Sequence, residues 1–549
     1  MDTLLSINSS FKWDPILIVG ASVAAALVLR MLYQLHLAPL FSPLRHIPKP
    51  NQGFVWFRLL HEPPVPEIEE WIDTLPHNGL IRYYGLFNRE RLFIASPEAA
   101  KDLLSTSVYK FIKPELQRAL VYNISGHGLL ILEGSEHKEA RKQTSPAFAP
   151  AQLKKKFPEM WQTTVKMLDT FPVVNESSAP APAAKESETT KDGLTSLSKL
   201  IHAASLDMIG HFGFGTSFHT LSKIGQPKAK SSTVHGEPKE RFGQTYIKMW
   251  KTTKKGQLTL KAASFVGAHL ALALPIPAVK TIHGIMGLAR KTAESIVSDR
   301  EKSVQDSKDQ ASKQPDDLLD QLLKSGHFSH QDLVEETIHF FAAGTETVTG
   351  TALWAFHLLS RHLDWQTRIR DEVRSNIPSP DEFLNDGAPE LKMRNMTYLK
   401  AFVEEVLRYH SINTLLWREC NEPAQLAGYD VPKGTAVVYS PWTMNRDPKL
   451  WGPDARTFRP ERWLDVSNDN SRHSYSLLTF GGGPRRCLGE QYARDQLHCL
   501  IAGLIGRFEF RPLSDNGTDE GREIGDNFAL TLFKIYEGWN LRYRQIPGW

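Results

Sequence analysis

The chain has 549 residues, with 65 lysines and arginines against 61 aspartates and glutamates and a formal net charge of +4. This length suits one large domain or several smaller ones, and so small a net charge gives no indication of a nucleic-acid partner. Only three cysteines are present, which argues against a disulfide framework and for a reducing compartment.

An apolar stretch near the N-terminus has the length of a membrane span. Residues 15–29 carry no charge, and Arg30 alone interrupts an apolar run that continues beyond it. Because a helix of about 20 apolar residues crosses a bilayer, residues 1–38 are predicted to be a single-pass membrane anchor. A cleaved signal peptide is the alternative, but no clear small-x-small cleavage site follows. Arg45 and Lys49 after the span place the main domain in the cytosol by the positive-inside rule.

The remainder, residues 39–549, is predicted to be one domain. Four prolines within residues 39–50 predict a stiff, non-helical connector. Two polar stretches, 174–193 and 222–240, contain almost no large apolar residue and are predicted to be disordered insertions. Apolar helical patterns resume after each stretch, so neither marks a domain boundary.

The first half of this domain offers a hairpin and a pair of basic side chains. Short β-rich runs at 80–84 and 91–95 are separated by turn-forming residues and predict a β-hairpin. Within 133–150, His137 and Arg141 lie one helical turn apart and share a face. Two donors on one face suit a ligand with two carboxylates, and a solvated charged face is the alternative.

A long helix with an unusual centre is predicted after residue 328. A capping box at residues 329–332 starts it, and its centre, residues 343–350 with the sequence AGTETVTG, contains two glycines and three threonines, which are weak helix formers. A bulge is expected there, opened where the Thr347 hydroxyl bonds the carbonyl of Ala343. Glu346 and Thr347 would then relay protons to a ligand in the groove. An ordinary helix that tolerates one glycine is the alternative.

The loop at residues 480–489 reads FGGGPRRCLG. Because glycine opens positive φ and proline removes a donor, the segment is predicted to be neither helix nor strand and to present the Cys487 thiol. Arg485, Arg486 and the N-terminus of the next helix favour the thiolate. A structural zinc site needs further ligands at short spacing, but Cys499 is twelve residues away. A single thiolate suits a metal held by a macrocycle, which is haem.

This loop resembles the haem-binding signature of the cytochrome P450 family. The matching residues are Phe480, Gly483, Arg485, Cys487 and Gly489. The helix centre at 343–347 resembles the oxygen-activation motif of the same family, and the prolines at 39–50 resemble the hinge of its membrane-anchored members. The resemblance implies the cytochrome P450 fold, which is mainly α with small β-sheets, as a single large helical domain holding haem plus an N-terminal transmembrane helix.

The resemblance also implies roles for individual residues. Cys487 becomes the axial ligand of the iron of haem b, and Glu346 and Thr347 become the catalytic proton-relaying pair. The residues implied to bind the haem propionates are His137, Arg141 and Arg418, although a tryptophan usually stands where His137 does. The residues implied to lock the loop before the cysteine are Glu405, Arg408 and Arg462. The candidates for substrate contact are Leu129, Phe340, Asn413, Thr414, Leu415 and Phe528.

The predicted function is a haem-thiolate monooxygenase that inserts one atom of O2 into a hydrophobic substrate by hydroxylation or epoxidation. Residues 206–215 most resemble fungal microsomal members, which suggests a terpenoid or other lipid-like natural product of secondary metabolism. The endoplasmic reticulum membrane is the expected location. Two alternatives stay open: a haem-thiolate isomerase or dehydratase that needs no reductase, and a non-catalytic haem-binding protein.

No flavin or nicotinamide motif is present in the sequence, so electrons from NADPH must arrive through a partner. The expected partner is an NADPH-cytochrome P450 reductase, with cytochrome b5 as a second candidate. The basic residues predicted to form its docking face are Lys138, Lys142, Lys154, Lys155, Lys156 and Arg486.

Overall fold

The computed structural model of the protein describes residues 15–56, 58, 61–176, 193–195, 197–224, 277–306, 317–385, 387–465, 473–513 and 540–549. In these ranges the α-helices are α1 (Pro15–Leu32), α2 (Val65–Thr74), α3 (Pro97–Lys101), α4 (Glu115–Ser125), α5 (Gly134–Thr144), α6 (Pro150–Glu176), α7 (Leu197–Phe214), α8 (Thr220–Lys223), α9 (Pro277–Asp306), α10 (Leu318–Ser325), α11 (His330–Arg361), α12 (Leu363–Asn376), α13 (Pro389–Arg394), α14 (Thr397–Tyr409), α15 (Pro441–Met444), α16 (Pro448–Trp451) and α17 (Glu490–Arg507). The strands are β1 (Leu80–Gly85), β2 (Arg89–Ile94), β3 (Phe111–Ile112), β4 (Gly193–Thr195), β5 (Leu416–Cys420), β6 (Ala424–Leu426), β7 (Tyr429–Val431), β8 (Ala436–Tyr439), β9 (Phe508–Arg511) and β10 (Leu541–Gln545).

Helix α1 is apolar and stands outside the core. The stretch Val19–Leu40 has 22 residues, is long and apolar enough to cross a membrane, and is almost entirely unburied. Its exposed side chains include Val23 and Leu29. After α1 the chain passes through a π-helical turn and a 3₁₀ turn that ends at Leu40, and residues 41–50 contain turns without α-helix. The predicted non-helical connector therefore begins just after Leu40.

Three small sheets flank the helices in the part of the chain that the structure describes. The largest has the strand order β1-β2-β8-β5-β3, and its first two strands form the predicted hairpin, with Leu80 opposite Ile94. Strand β8 joins β2 in parallel and β5 in antiparallel register, which places Arg418 of β5 in the interior of the sheet. The order in the second sheet is β4-β10-β9, and β6 pairs with β7 in the third.

Helix α11 is the central element of the core. The predicted capping box is present, since the Ser329 side chain accepts from the Asp332 amide while Asp332 accepts from the Ser329 amide. Nearly every residue from Leu333 to Ser360 is buried. The helix packs against α7, α9 and α17, and a helix enclosed on several sides in this way supplies much of the apolar burial that stabilises the domain.

The bulge predicted at residues 343–347 is wrong. Helix α11 stays α-helical throughout, although the Thr347 hydroxyl donates to the Ala343 carbonyl at 2.7 Å as expected. That bond adds a second donor to the carbonyl without opening the ladder. Gly344 instead allows close helix packing, because a Cβ there would lie 2.7 Å from Cδ1 of Ile209 on α7.

The two predicted insertions lie mostly outside the described residues, and their described ends are ordered. Residues 174–176 complete helix α6, and Gly193 opens strand β4. Residues 222 and 223 complete helix α8. The disorder predicted for the remaining residues of each stretch falls outside the described residues. The apolar Val173 and Val174 continue the helical pattern of α6, which explains why this helix extends past the start of the first polar stretch.

Candidate active site

The Cys487 loop is shaped by its glycines. Gly481 and Gly483 have φ values of 71° and 62°, a region that side chains rarely adopt. The loop closes where the Cys487 amide donates to the Phe480 carbonyl at 2.8 Å. One 3₁₀ turn, Gly483–Arg485, lies within it, so the prediction of no helix at all was slightly wrong. The Cys487 side chain is exposed, as predicted for a presented thiol.

Two opposing effects act on this thiol. The surrounding protein desolvates the sulfur and raises the pKa of Cys487, and Glu490 raises it further. The Gly489 amide and the charges of Arg141 and Arg494 lower the pKa. Desolvation has the larger effect on the pKa. The flanking charges favour the thiolate, as the sequence indicates, but they do not outweigh desolvation. A bound metal cation would supply the remaining stabilisation of the thiolate.

Basic side chains converge beside the cysteine loop from four parts of the chain. They are Lys113, His137, Arg141, Arg418 and Arg485. Burial followed by the charges of the other four lowers the pKa of His137 to about 3, and burial with the charges of Arg418 and Arg485 lowers the pKa of Lys113 well below its usual range. These mutual effects show that the five groups share one small region.

This cluster keeps a surplus of positive charge. The Glu133 carboxylate forms ion pairs with Lys113 at 3.5 Å and with Arg485, and Tyr109 contacts Nδ1 of His137 at 3.1 Å. The cluster therefore sets three arginines, one of them paired, against a single carboxylate. A ligand with two carboxylates, such as the propionates of haem, therefore fits the chemistry of these donors.

Three members of this cluster, His137, Arg141 and Arg418, are predicted from the sequence as propionate ligands. Lys113 and Glu133 are not. Arg485 is predicted only as part of the cysteine signature. Neither missed residue belongs to a motif, and both lie in segments between helices. In the sequence, Lys113 is marked only by the proline that follows it, and Glu133 only by its place just before helix α5. Many unrelated sequences share both features.

The three predicted supporting residues form one buried ion-pair network. Glu405 accepts from Arg408 through both carboxylate oxygens, at 2.7 and 2.8 Å, and Arg462 donates to it at 3.1 Å. All three side chains are fully or almost fully buried. The Trp463 indole and the Arg459 amide also donate to Glu405. The carboxylate is thus fully satisfied, which a buried charge requires.

Hydrogen bonds connect this network to the cysteine loop. Arg408 donates to the Asn445 carbonyl at 2.7 Å, and the Asn445 side chain bonds both the Leu478 amide and the Thr479 hydroxyl, each at 2.8 Å. Thr479 in turn donates to the carbonyl of Leu407. Leu478 and Thr479, immediately before Phe480, are therefore connected to the ion-pair network through Asn445.

Helix α11 presents one uncovered stripe on its otherwise buried surface. Phe340, Ala343, Gly344 and Thr347 are partly or fully exposed, and their spacing places them on one helical face. The Phe340 ring stacks on Phe148 at a centroid distance of 5.9 Å. Phe148 also lies beside Gly489, since a Cβ there would be 3.7 Å from its ring. Phe148 therefore connects the exposed stripe with the cysteine loop.

Glu346 faces away from this stripe. Its side chain is 2% exposed, and its Oε1 lies 3.0 Å from Nε2 of His202 on helix α7. The acid of the AGTET motif, Glu346, and its last hydroxyl, that of Thr347, thus lie on different faces of the helix, although the two residues are neighbours in the sequence. His202 was not identified from the sequence, because nothing local marks a residue 144 positions earlier as the partner.

The loop after helix α4 is attached to helix α11 by three side chains. Glu335 accepts from the His127 amide and Glu336 from the Leu129 amide, each at 2.7 Å, and His339 Nε2 lies 2.9 Å from the Gly126 carbonyl. Burial raises the pKa of Glu336 to about 8, and burial lowers the pKa of His339 to about 4. We call Glu335, Glu336 and His339 the loop clamp. The sequence analysis missed it.

The substrate-contact candidates differ in exposure. Leu129 and Asn413 are partly exposed. Thr414 is buried, and its carbonyl accepts from Ser440. Leu415 is buried in a cluster with Trp71 and other residues of α2 and the large sheet. This packing argues against a substrate contact for Leu415, whose side chain completes the sheet core.

Two further candidates fall elsewhere. Phe340 lies on the exposed stripe of α11 described above, and its partial exposure keeps it available to a substrate. Phe528 lies outside the described residues. Leu129, Phe340 and Asn413 therefore remain the candidates that the described residues favour.

A mainly helical fold, one presented cysteine and a surplus of positive charge beside it fit a haem-binding enzyme. The sequence model of the family described as Cytochrome P450 matches residues 78–528. The cytochrome P450 monooxygenase sphH of Aspergillus fumigatus is 31% identical over 544 residues, covering 95% of this chain and 93% of its own length. The cytochrome P450 monooxygenase FSL4 of Gibberella zeae is 29% identical, with coverages of 92% and 90%. A plant relative, cytochrome P450 709B1 of Arabidopsis thaliana, is 27% identical.

The chain belongs to the cytochrome P450 family. The predicted fold and enzyme class, a haem-dependent monooxygenase, are confirmed with it. The roles of the individual site residues, the substrate class and the redox partner stay predictions.

Proposed function

We propose that this enzyme oxidises a hydrophobic substrate, a terpenoid or another lipid-like natural product, by hydroxylation or epoxidation with electrons from an NADPH-cytochrome P450 reductase. The observation that carries the proposal is the arrangement around Cys487. An exposed thiol stands beside a cationic cluster and is connected through Phe148 to the exposed stripe of α11. Several similar proteins named cytochrome P450 monooxygenases come from fungi, which supports a natural product of fungal metabolism as the substrate.

The residues present fit haem, and each has a proposed part in holding it. Cys487 supplies the thiolate ligand to the iron, while Arg141, Arg418, Arg485 and His137 hold the propionates. Haem, when bound to such a thiolate, activates O2 and delivers one oxygen atom to the substrate. The glycines of the loop would hold the Cys487 thiol in place for the iron, because Gly481 and Gly483 allow the positive φ angles that the tight turn requires.

The distal residues handle protons and position the substrate. Thr347, whose hydroxyl donates its one proton to the Ala343 carbonyl, is proposed to accept a hydrogen bond on the exposed face of α11. Glu346 is proposed to carry protons toward that face from the buried side. Glu405, Arg408 and Arg462 keep the cysteine loop rigid and take no part in the chemistry. Apolar side chains on the stripe and on the clamped loop exclude water and favour a hydrophobic substrate.

The redox partner is proposed to bind the basic surface near the cysteine loop. Lys138, Lys142 and Lys155 are exposed on α5 and α6, and Arg141 of α5 donates to the Arg486 carbonyl of the cysteine loop at 2.6 Å. Lys156, by contrast, is half-buried and pairs with Glu159, so we leave it out of the docking face. An acidic reductase surface would complement the exposed lysines, and cytochrome b5 would compete for them.

The membrane location rests on helix α1. An apolar helix without burial needs an apolar environment, and the segment Val19–Leu40 has the length of a span. We propose a single-pass anchor in the endoplasmic reticulum with the catalytic domain in the cytosol. Expression with a reporter at either end would test this topology.

The absorption spectrum of the reduced, carbon monoxide-bound protein tests the central assignment. We expect a strongly red-shifted Soret band in the wild type that is lost in Cys487→Ser, because the thiolate ligand causes the shift. Cys420→Ala removes a cysteine outside the site and should keep the band. A band that survives in Cys487→Ser would contradict the assignment. Spectral shifts on adding terpenoids or fatty acids would then identify the substrate class.

A further inference from the structure

Helices α7 and α11 bring a histidine to the acid of the oxygen-activation motif. His202 Nε2 lies 3.0 Å from Glu346 Oε1. The Glu346 side chain is 2% exposed, whereas that of His202 is 12% exposed. The close packing of Ile209 over Gly344 allows the two helices to approach at this level. His202 therefore contacts the buried acid on one side and is reached by solvent on the other.

The surroundings of the imidazole determine how many protons the pair holds. His202 Nδ1 lies 3.0 Å from the Ser198 carbonyl, which can only accept a hydrogen bond. Nδ1 must therefore carry a proton to satisfy that contact. The other nitrogen, Nε2, then faces a carboxylate oxygen, and this contact also requires a proton between the two atoms. Both contacts are satisfied only when the pair carries two protons.

That second proton has two possible positions. It lies on Nε2 when the pair is an imidazolium with a carboxylate, or on Oε1 when the pair is an imidazole with a carboxylic acid. In both cases the proton is one peptide away from Thr347, whose hydroxyl lies on the exposed stripe. The pair thus holds a proton on the buried side of α11, at the residue that precedes Thr347 in the sequence.

We propose that His202 is a positioning residue that keeps Glu346 supplied with a proton for the monooxygenase reaction. The inference rests on the proposed role of Glu346. In each transfer the Nε2–H bond breaks as an O–H bond forms on Oε1, and Glu346 then releases this proton toward Thr347. The exposed edge of His202 regains a proton from water. The overall reaction consumes substrate, O2, two electrons from the reductase and two protons, and it yields oxygenated product and water.

A purely structural role is the competing explanation, in which the contact only joins α7 to α11. The variant His202→Gln distinguishes the structural role from the proton-supplying role. Its amide can still donate a hydrogen bond to Glu346 but cannot give up a proton. Glu346→Gln removes the acid, and the double variant shows whether His202 acts through it. His211→Gln is the matched control, since His211 lies on the same helix, is partly buried and faces Glu159 and Asp207.

The first readout is the infrared spectrum of the full-length holoprotein in H2O and D2O. We expect a carboxylic acid or imidazolium band, sensitive to D2O, that is lost or shifted in both His202→Gln and Glu346→Gln and is unchanged in His211→Gln. A spectrum unchanged by His202→Gln would overturn the proposal. This comparison needs no turnover, so it judges the proton of the pair even if the proposed role of Glu346 in the reaction fails.

The second readout is NADPH consumption and peroxide release with a reductase, measured on variants that retain the carbon monoxide band. We expect His202→Gln to lower the rate about tenfold, which is less than the roughly 10²–10⁴-fold effect of a group that transfers a proton to the reacting atoms, because His202 acts through Glu346. We also expect it to raise the share of electrons lost as peroxide. The double variant should equal Glu346→Gln. Wild-type behaviour in His202→Gln would leave the histidine a purely structural role and contradict the inference. If Glu346→Gln also has no effect, the proposed role of the acid fails instead.

Discussion

The two sides of the candidate active site are fixed by different kinds of charge. On the cysteine side, Glu405, Arg408 and Arg462 form a network whose members are at most 2% exposed. On the helix side, the loop clamp attaches residues 126–129 to α11 through one histidine and two glutamates. Arginine keeps its charge at any ordinary pH, whereas a buried histidine and a buried glutamate change theirs easily.

This difference fits the two tasks of the site. The cysteine loop must keep one geometry so that its thiol meets a metal, and a fully satisfied buried network gives that rigidity. The loop over the helix side borders the proposed substrate region, where opening and closing are useful. A loop held by titratable side chains is held less strongly than one held by arginine, and its stability changes with pH. The comparison predicts large, pH-independent effects on the first side and smaller, pH-dependent effects on the second.

The largest effect is expected for Arg408→Met. The change leaves the Glu405 carboxylate buried with one arginine partner, and it removes the donor to the carbonyls of Asn445, Ala455 and Thr457. Breaking a buried pair from one side costs about 3–5 kcal/mol. We expect a loss of this size in the free energy of unfolding measured with urea, together with poor retention of haem.

Arg456→Met is the control for that experiment. Arg456 also binds a carboxylate through two nitrogens, at 2.8 and 3.0 Å from Asp73, but both side chains are more than one-third exposed. Such a pair is worth about 0–1 kcal/mol. If the two variants lost equal stability, the contrast between a buried network and an ordinary surface pair would be wrong.

A smaller effect on the same side is expected for Gly483→Ala. A Cβ at this position would lie 2.1 Å from the Leu104 carbonyl oxygen, and φ is +62°. Backbone strain and overpacking together suggest a loss of about 2–4 kcal/mol. Gly481→Ala has a similar φ of +71° but open space around its Cβ, so it should lose only about 1 kcal/mol. Thermal unfolding and the carbon monoxide band measure both, and equal losses would contradict the role of the Leu104 contact.

The cysteine side was predictable from the sequence because its signals are local. The glycines, the proline and Cys487 stand within ten residues, and Glu405 with Arg408 shares one helical turn. Their burial and the connection through Asn445 were not predictable, since Asn445 belongs to no motif. The interpretation of Gly344 failed for a related reason. A glycine inside a helix looks like a local weakness in sequence, but its use depends on Ile209, a residue of another helix.

The helix side was largely unpredictable for the same physical reason. The partners of the loop clamp are backbone amides and a carbonyl 207 to 213 positions earlier, and backbone groups leave no signature in a sequence. A glutamate pair followed by a histidine on a helix reads as a solvated face. Only the packing of α4 and its loop onto α11 buries these three side chains and gives them partners.

The smallest predicted effect, and the one that depends on pH, concerns Glu336. Burial raises its pKa in the folded protein to about 8 from its ordinary value of 4.5. Below pH 4.5 the carboxyl is protonated in both states; between the two values the folded state holds more protons, so stability falls as pH rises through 8. From pH 7 to pH 9 the loss is about 1.4 kcal/mol for this group. Glu336→Gln cannot ionise, and its urea-unfolding free energy should therefore lack this part of the decline.

Glu335→Gln sharpens the comparison because Glu335 precedes Glu336 on α11 and holds the same loop. Burial raises the pKa of Glu335, but the His127 amide, Gln331 and Arg290 outweigh burial and lower it overall. Its contribution to stability is present above the unfolded pKa and is lost only as pH falls into the acid range. Glu335→Gln should thus keep the wild-type decline between pH 7 and pH 9. Equal slopes for Glu336→Gln and the wild type would show that the buried glutamate is ionised in the folded protein, and the helix side would then be fixed by permanent charge like the cysteine side.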